Sequence, residues 1–450
     1  MKYKLCALLS LCLCISAVAQ QPKQKPNPEI TKMVKEVSAK NIEATIRKLV
    51  SFGTRNTLSE QDNPTRGIGA ARDWIYDEFQ KISSECGGCL DVQKQSFVQP
   101  KGNRVPEPIT LTNVYAVLKG TTDPDRIYLV SGHYDSMCNL NATDTKCDAP
   151  GANDDASGTA VSLELARVMS KRKFDATIIF MTVPGEEQGL YGATYFAKQA
   201  VEKKMNIEAM FTNDIVGGVT TYKNAPDRQT IRVFAEGVPS NETSAEATSR
   251  RSVGGENDSA SRQLGRYIKE MADIYSPKFH VTLVYRRDRY GRGGDHIPFL
   301  ENGFAAVRFT EPHEDYTHQH QSVKIVNGAQ YGDLPEFVDF EYVANAARIN
   351  LIALANLASA PARPKGVTIL TGRLTNDTDL KWEAGKDADL AGYEVVWRDT
   401  TSPFWTNSIW VGNVTSYTAK EMSKDNYFFG VRAVDKDGNK SPVSYPRPGR

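Results

Sequence analysis

Short apolar segments alternate with amphipathic segments along most of the chain. Apolar runs of strand length occur at 126–132 and 176–183, and a third begins at 207. The segments 155–172 and 189–204 lie between them and place apolar residues at helical spacing. Because strands that are apolar throughout have both faces covered, this alternation predicts an α/β fold. We expect a mainly parallel, mixed sheet with helices on both faces.

The same alternation extends to both sides of this region. Helical spacing occurs at 42–52, 69–82, 259–275 and 338–359, and strand-like runs occur near 231–237, 281–285 and 305–311. In open α/β sheets, ligands bind beyond the carboxyl ends of the strands. We therefore expect an active site at the strand ends.

The pattern changes in the last part of the chain. The segment 361–366 has the composition of a linker, and residues after it alternate apolar and polar at 392–398 and 427–441. This order of short strands and turns resembles a fibronectin type III-like β-sandwich, with Trp382 and Tyr427 as core aromatics. The sequence therefore predicts a second, all-β domain.

The length and composition agree with two globular domains. The chain has 450 residues, of which 40% are hydrophobic and 24% charged. We place the α/β domain at 29–358 and the β-sandwich at 364–450. The formal net charge of +1 gives no electrostatic reason to expect binding to nucleic acid or to a membrane surface.

The first residues have the features of a secretory signal peptide. They begin with two lysines, continue with an apolar run from Leu5 to Ile15, and end in Ala17-Val18-Ala19. We therefore expect residues 1–19 to be removed and the protein to be exported, either secreted or periplasmic. A signal anchor and lipoprotein processing are the alternatives. No later stretch is long and apolar enough to predict a transmembrane anchor.

Four cysteines remain after this leader: Cys86, Cys89, Cys138 and Cys147. An even number in an exported protein indicates disulfide bonds. We favour the local pairs Cys86–Cys89 and Cys138–Cys147, because each closes a short loop rich in Gly or Asn. A four-cysteine zinc site is the alternative.

Carboxylates and imidazoles follow the predicted strands. Two adjacent glutamates, Glu186 and Glu187, come after the run at 176–183 and a Pro-Gly turn. Adjacent like charges are costly to bury unless a positive charge lies nearby or the two residues have different roles. The other candidates are His133, Asp135, Asp154, Asp155, Asp214, His313, His318 and His320.

A set of His, Asp and Glu side chains is typical of sites for zinc or another divalent first-row metal. Five such ligands, one of them a shared carboxylate, hold two metals about 3.5–4 Å apart in many hydrolases. One of the adjacent glutamates is then able to bind a metal while the other takes a proton from water. The metal charge offsets the repulsion between them.

Several short motifs strengthen this interpretation. In chain order they are GHYDS, APGANDDASG, PGEEQGLYG, NDIVG, GGDHIPF and DYTHQHQ. Each is weak alone, but together they specifically resemble the zinc-dependent aminopeptidase family. That family includes bacterial leucyl aminopeptidase and, more distantly, glutamate carboxypeptidase. The resemblance spans roughly residues 40–358.

The resemblance implies a role for each candidate. His133 and Asp214 bind one zinc ion, Glu187 and His318 bind the other, Asp154 bridges both, Glu186 is the general base and acid, and Asp135 orients the imidazole of His133. Cobalt or manganese would also suit these ligands. The alternative to His318 is His320; His318 is preferred because relatives place this ligand just after a Tyr-containing turn.

Two further features follow from the same resemblance. The peptide bond between Asp154 and Asp155 is expected to be cis. Asp295 and His296, in the GGDH motif, are expected to shape the substrate pocket.

These expectations point to an exported metallo-exopeptidase that acts on peptides, most simply an aminopeptidase. The segment YRRDRYGRGGDH supplies Arg286, Arg287, Arg289 and Arg292 near the expected cleft, which keeps a carboxypeptidase-type or acidic-peptide hydrolase as the alternative. A glutaminyl cyclase and a non-catalytic binding protein of the same fold are the remaining alternatives. The sequence assigns no role to the C-terminal domain.

Overall fold

The computed structural model describes residues 26–219, 221–222 and 225–449. The predicted signal peptide at 1–19 lies outside this part of the chain. Within the described residues, no helix has both the length and the apolar character needed to cross a membrane.

The helices and strands alternate as the sequence predicts. The α-helices are α1 (Pro28–Glu36), α2 (Ala39–Val50), α3 (Gly67–Glu85), α4 (Ala156–Met169), α5 (Glu186–Gly189), α6 (Tyr191–Glu202), α7 (Ser244–Arg251), α8 (Ala260–Tyr275), α9 (His296–Glu301) and α10 (Phe340–Ser359). A short 3-10 helix occupies Pro335–Phe337.

The strands fall into one large sheet and several small ones. Those before residue 360 are β1 (Leu90–Gln99), β2 (Ile109–Leu118), β3 (Asp123–His133), β4 (Ala176–Val183), β5 (Asn206–Asn213), β6 (Thr221–Tyr222), β7 (Ala225–Pro226), β8 (Thr230–Phe234), β9 (His280–Val284), β10 (Ala306–Thr310), β11 (Lys324–Val326) and β12 (Ala329–Tyr331). Those after it are β13 (Thr368–Leu370), β14 (Thr378–Lys381), β15 (Leu390–Asp399), β16 (Asn407–Gly412), β17 (Ser416–Ala419), β18 (Tyr427–Asp435) and β19 (Arg447–Gly449).

The large sheet has eight strands in the order β1-β2-β4-β3-β5-β10-β8-β9. Its centre is parallel, because β3 pairs in parallel with both β4 and β5, and β5 pairs in parallel with β10. The pairs β1–β2, β2–β4 and β10–β8 are antiparallel. The predicted fold class, a mixed sheet flanked by helices, is confirmed.

Each face of this sheet buries its own apolar core. Along β4, Ile178 and Phe180 point into the core formed with α2, α4 and α10, whereas Ile179 and Met181 point into the core formed with α6 and α9. All eight residues of β4 are buried. This explains why the strand reads as a continuous apolar run rather than an alternating one.

The edge hairpin formed by β1 and β2 was not predicted. In β1, only Leu90 is fully buried, and most of the other residues are exposed or half-buried. The apolar signal of β1 is weak because little of the strand packs against the core.

The C-terminal residues form two further sheets around a separate apolar core. One has the order β17-β14-β13-β19 and the other β16-β15-β18. Trp382 is buried between them and packs edge-on against Tyr393, with ring centroids 5.4 Å apart. Tyr427 is only partly buried and packs against the outside of this core. Hereafter residues 368–449 are called the C-terminal sheets.

Both predicted disulfide bonds are present, Cys86–Cys89 and Cys138–Cys147. These four sulfur atoms are therefore not available as thiolates for the alternative zinc site. The peptide bond between Asp154 and Asp155 is cis, as the resemblance implied.

Candidate metal centre

The carboxyl ends of β3, β4 and β5 meet at one rim of the large sheet. His133 is the last residue of β3, and Asp214 directly follows β5. After β4 the chain turns at Gly185, whose φ of 76° is in the left-handed region, and enters α5 with Glu186 and Glu187 at its start. The turn brings both glutamates back over the strand ends.

The N-terminus of helix α4 lies at the same rim. Asp155 caps its N-terminus by accepting from the backbone N–H of Gly158 at 2.8 Å. The same carboxylate accepts from the backbone N–H of His133 at 3.0 Å. A side chain on Gly158 would collide with the carbonyl of Asn213. Close approach of α4 therefore fixes the ends of β3 and β5 relative to Asp154.

Two overlapping groups of metal-ligating side chains lie at this rim. The first consists of His133, Asp154 and Asp214, and the second of Asp154, Glu187 and His320. Within each group the ligand atoms lie within 4.8 Å of one another. Asp154 belongs to both groups, so its carboxylate lies between them.

The two oxygens of Asp154 face opposite partners. Oδ1 lies 3.1 Å from Nε2 of His133, and Oδ2 lies 2.8 Å from Nε2 of His320. The same nitrogen of His320 is 3.0 Å from Oε1 of Glu187. Nε2 of His133 lies 3.9 Å from Oδ1 of Asp214. Each imidazole thus faces two carboxylates.

The choice between His318 and His320 requires a correction. His318 does not join either group: its ring stacks on Phe337 at a centroid distance of 3.7 Å, and its Nδ1 lies 3.5 Å from Asp315. His320, the alternative, occupies the place expected of His318. Its backbone has a φ of 55°, in the left-handed region.

The side chains fit divalent cations by their own chemistry. Among the described residues, His133 Nε2, His320 Nε2 and Glu187 Oε1 are buried without a hydrogen-bond partner. Such buried polar atoms are rare unless a ligand completes them. Imidazole nitrogen and carboxylate oxygen are ordinary ligands of zinc and similar metals.

Asp135 supports both groups from behind. Its Oδ1 lies 3.3 Å from Nδ1 of His133, and its backbone carbonyl is 3.2 Å from the same nitrogen. The carboxylate also accepts from the hydroxyl of Thr57 at 2.9 Å and from the backbone N–H of Glu187 at 3.2 Å. One carboxylate therefore orients a histidine of the first group and the backbone that carries a glutamate of the second.

The charges at the rim shift several pKa values. Burial raises the pKa of Glu186 well above its ordinary value, and the neighbouring carboxylates of Asp214 and Glu187 raise it further. Burial opposes protonation of His320, but Glu187 and Asp154 together raise the pKa of its imidazole to about 11. Acidic groups thus dominate the local field, which favours positive charge at this rim.

Two buried arginines contribute to the site, and the sequence analysis did not identify them. Arg55 donates from all three guanidinium nitrogens to the carbonyls of Tyr134, Pro150 and Gly151 at 2.5–2.8 Å. The Nη2 atom of Arg308 lies 3.0 Å from Oδ2 of Asp214. The two groups form an ion pair, although their geometry is not that of a hydrogen bond. Arg308 lies in the strand-like run near 305–311, but no motif marked it.

A buried aspartate behind the rim was also missed. Asp333 accepts from the backbone N–H groups of Asn153 and Asp154 at 2.9 and 2.7 Å. It thereby fixes the loop that carries the shared carboxylate. Burial raises the pKa of Asp333 to about 7. It lies in the irregular segment after the DYTHQHQ motif, and no local pattern marks it.

The two residues expected at the pocket lie beside the rim. Asp295 is buried, and its Oδ1 has no hydrogen-bond partner among the described residues. Burial, together with Asp135 and Asp214, raises the pKa of Asp295 to about 8. His296 is buried with Nε2 2.9 Å from the carbonyl of Arg287.

Comparison with known proteins agrees with this geometry. Peptidase family M28 matches residues 113–327. A probable zinc metalloprotease of Pyrenophora tritici-repentis is 50% identical over 428 residues, covering 95% of this chain and 88% of the relative. One of Leptosphaeria maculans is 50% identical over 424 residues, covering 94% and 98%.

A solved structure shows the same fold at low identity. The LapA aminopeptidase of Legionella pneumophila has a TM-score of 0.52 and 20% identity, covering 76% of this chain and 77% of that one. Because the fungal relatives match along nearly their whole length, the chain belongs to peptidase family M28 and is a zinc metallopeptidase.

Proposed function

We propose that this metallopeptidase is an exopeptidase, most simply an aminopeptidase that removes residues from the N-termini of peptides. The observation that carries the proposal is the carboxylate of Asp154, which faces His133 on one side and His320 on the other. The LapA protein of Legionella pneumophila, which has the same fold, is an aminopeptidase, and this supports the choice.

Five side chains would hold two divalent cations, taken to be zinc. His133 and Asp214 would hold one, Glu187 and His320 would hold the other, and Asp154 would bridge them. Bound there, such cations lower the pKa of water and polarise the scissile carbonyl. Asp135 keeps the ring of His133 turned toward the rim.

Glu186 performs the proton transfers in this proposal. It starts α5 at the rim, beside Glu187, and the residue as a whole is only partly buried. Its raised pKa makes this carboxylate a stronger proton acceptor than an ordinary glutamate. Glu186 takes a proton from the attacking water and delivers it to the amine that leaves.

The direct test is Glu186→Gln in metal-replete protein. We expect turnover of aminoacyl anilides to fall by roughly 10²–10⁴-fold, the usual contribution of a general base, while two metals per chain remain bound. Elemental analysis measures the metals. Glu202→Gln, an exposed glutamate of α6, is the matched control. Normal turnover in Glu186→Gln would remove this role from Glu186.

The alternative functions differ in the number of metal ions that they need at the rim. A glutaminyl cyclase uses one zinc ion, whereas two complete groups of ligands favour two. A non-catalytic binding protein needs neither the metals nor Glu186. A metal content of one per chain, with cyclisation of N-terminal glutamine and no peptide hydrolysis, would favour the cyclase.

Three proposals concern the whole chain. We propose that residues 1–19 are a signal peptide, that the mature protein is exported, and that 29–358 and 364–450 are separate domains. The two disulfide bonds support export to an oxidising compartment. The second domain is proposed to be fibronectin type III-like because two small sheets pack around Trp382. N-terminal sequencing of the exported protein tests the cleavage site.

A further inference from the structure

A cavity of about 560 Å³ lies beside the candidate metal centre and is lined mainly by arginine. Arg286, Arg287, Arg289 and Arg292 line it, and Asp288 is the one carboxylate among its lining residues. This volume is within the usual range of small-ligand pockets, about 300–1,000 Å³. Hereafter it is called the arginine pocket.

Two contacts place the arginine pocket next to the metal-ligating groups. Leu190 lines the pocket and directly follows α5, the helix that carries Glu186 and Glu187. On the other side, Arg308 donates from Nη1 to the carbonyl of Gly293 at 2.7 Å. Its Nη2 lies 3.0 Å from Asp214. A single guanidinium therefore separates a pocket-lining residue from a candidate ligand.

The arginines are not fully neutralised by the surrounding chain. The guanidinium groups of this region belong to Arg232, Arg286, Arg287, Arg289, Arg292 and Arg308, and their carboxylate partners are Asp214, Asp288, Glu301 and Glu314. Six cations thus share four anions. Glu314 alone faces three arginines, so its charge is divided among them.

Arg286 is the cation most available to a ligand. No carboxylate of the described residues lies within ion-pair distance of it; its guanidinium instead stacks on Tyr290, 3.4 Å from the ring centroid. Tyr290 is 87% exposed and Arg286 is half-buried, so the stacked pair lies at the protein surface. A planar guanidinium held in place by a ring is preorganised to bind a carboxylate.

From this excess of positive charge we infer that the arginine pocket binds the carboxylate side chain of an acidic residue next to the scissile bond. The enzyme would therefore prefer peptides with Glu or Asp at that position. This inference rests on the proposed peptidase function and adds the class of substrate to it. A free C-terminal carboxylate has the same chemistry, and the experiment below separates the two sources.

Initial rates on Glu-anilide and Gln-anilide test the inference in the metal-loaded enzyme, because these substrates differ only in the charge and hydrogen bonding of one group. We expect kcat/KM to favour Glu by at least about tenfold. The preference should shrink as salt increases, since screening weakens exposed charge pairs. Arg286→Gln should lower it by about tenfold, and Arg286→Lys should restore part of it.

Arg373→Gln, which removes an exposed arginine of the C-terminal sheets, is the matched control and should keep the wild-type preference. Equal rates on the two anilides would overturn the inference and leave the peptidase proposal standing. A preference for Leu-Leu over Leu-Leu-amide, without a preference for Glu-anilide, would also overturn it. That result would assign the pocket to a terminal carboxylate.

A binding experiment keeps the inference testable if neither anilide is cleaved, the result that would contradict the proposed function. Calorimetry of metal-loaded Glu186→Gln with Glu-Ala-Ala and Gln-Ala-Ala measures recognition without turnover. Binding of Glu-Ala-Ala at least about tenfold tighter, lost in the double variant with Arg286→Gln, supports the pocket assignment. Equal binding of the two peptides overturns it.

Discussion

Two groups of buried and partly buried charges in this molecule differ in their balance of charge. The rim cluster contains Asp135, Asp154, Asp155, Glu187 and Asp214 with the imidazoles of His133 and His320. The junction cluster, where the C-terminal sheets contact α8 and the residues before it, contains Asp258, Glu270, Glu394, Arg266, Arg398, Arg432 and Lys440.

In the junction cluster every charge has an opposite partner within the chain. Arg266 and Arg398 contact Asp258 at 2.6 and 2.8 Å, and Arg432 bridges Glu394 and Glu270 at 2.7 and 3.0 Å. In the rim cluster carboxylates outnumber the groups that can neutralise them. A cluster in which every charge is paired within the chain holds two parts of a protein together, whereas an acid-rich one needs cations from outside the chain.

The largest effect is expected from removing the shared carboxylate of the rim cluster. Asp154→Ala should lose both metals and nearly all peptidase activity, because Asp154 faces both ligand groups. Replacing even an outer partner of a metal ligand usually costs about 10–100-fold in metal affinity or activity, so this loss should exceed about 100-fold.

Elemental analysis and anilide hydrolysis measure both effects of Asp154→Ala. Asp125→Ala, which removes an exposed aspartate of β3, is the control. Retention of two metals per chain by Asp154→Ala would contradict the role of this carboxylate in binding external cations at the rim cluster.

The next effect is expected from Asp258→Ala in the junction cluster. The variant leaves the buried guanidinium groups of Arg266 and Arg398 without their carboxylate. Breaking a buried ion pair from one side typically costs about 3–5 kcal/mol. We expect urea unfolding to show a loss of this size while the metal content stays at the wild-type value. A loss below about 1 kcal/mol would contradict the structural role assigned to this cluster.

A buried carboxyl behind the rim cluster and a carboxyl of the junction cluster should change their contributions to folding stability with pH in opposite directions. Glu311 lies behind the rim cluster, where burial raises the pKa of its carboxyl to about 8. It accepts from the side chain of Asn153 at 2.9 Å. Its protonated form is favoured in the folded state, so its contribution to stability is complete below about pH 4.3 and is lost as pH rises toward 8. Compared with Glu311→Gln, the wild type should lose at most about 1.4 kcal/mol per pH unit over this range.

Unfolding of the wild type and Glu311→Gln between pH 5 and 8 measures this difference, and unfolding of the wild type and Glu394→Gln is measured below about pH 4.3 as well. Glu394→Gln provides the opposite case in the junction cluster. Burial alone would raise the pKa of Glu394, but Arg432 and Lys440 hold it below its ordinary value. Its contribution is therefore present above about pH 4.3 and is lost as pH falls further. Equal slopes for the two variants would contradict the comparison.

The rim cluster was largely predictable from sequence because regular strands place its residues. β4 occupies 176–183 as predicted, since all its residues are buried and most are apolar. His133 ends β3, and Glu187 and Asp214 come shortly after β4 and β5. The carboxyl ends of these three strands meet at one rim of the sheet. His318 was chosen wrongly over His320 because an irregular loop has no periodicity. Stacking of His318 on Phe337, a contact between separate loops, decides which ring faces the rim.

The junction cluster was not predictable in the same way. Its charges come from α8 and the residue Asp258 before it, and from β15, β18 and the residues after β18. These segments are far from α8 in sequence, and a lone arginine in a strand gives no signal of its partner. Arg398 is 140 residues from Asp258. The edge strand β1 was missed for a related reason, because a strand with few buried residues resembles a polar loop.

The smallest expected effect tests whether the two regions are independent. Tyr285 directly precedes Arg286 of the arginine pocket, and its hydroxyl donates to the carbonyl of Pro403 at 2.6 Å. Arg262 stacks on its ring at 3.7 Å. Pro403 also accepts from Arg266 at 2.7 Å, so Tyr285→Phe leaves this carbonyl with a partner. The cost should therefore lie near the lower end of a hydrogen bond's contribution, about 0.5–1 kcal/mol.

Urea unfolding measures the stability of Tyr285→Phe, and the ratio of Glu-anilide to Gln-anilide hydrolysis measures the pocket. Tyr316→Phe, at an exposed tyrosine, is the control. A fall in the Glu preference larger than the control's would mean that the C-terminal sheets help to position the arginines beside the metal centre. An unchanged preference with the expected small loss of stability would mean that the junction cluster holds the two parts together without influencing the site.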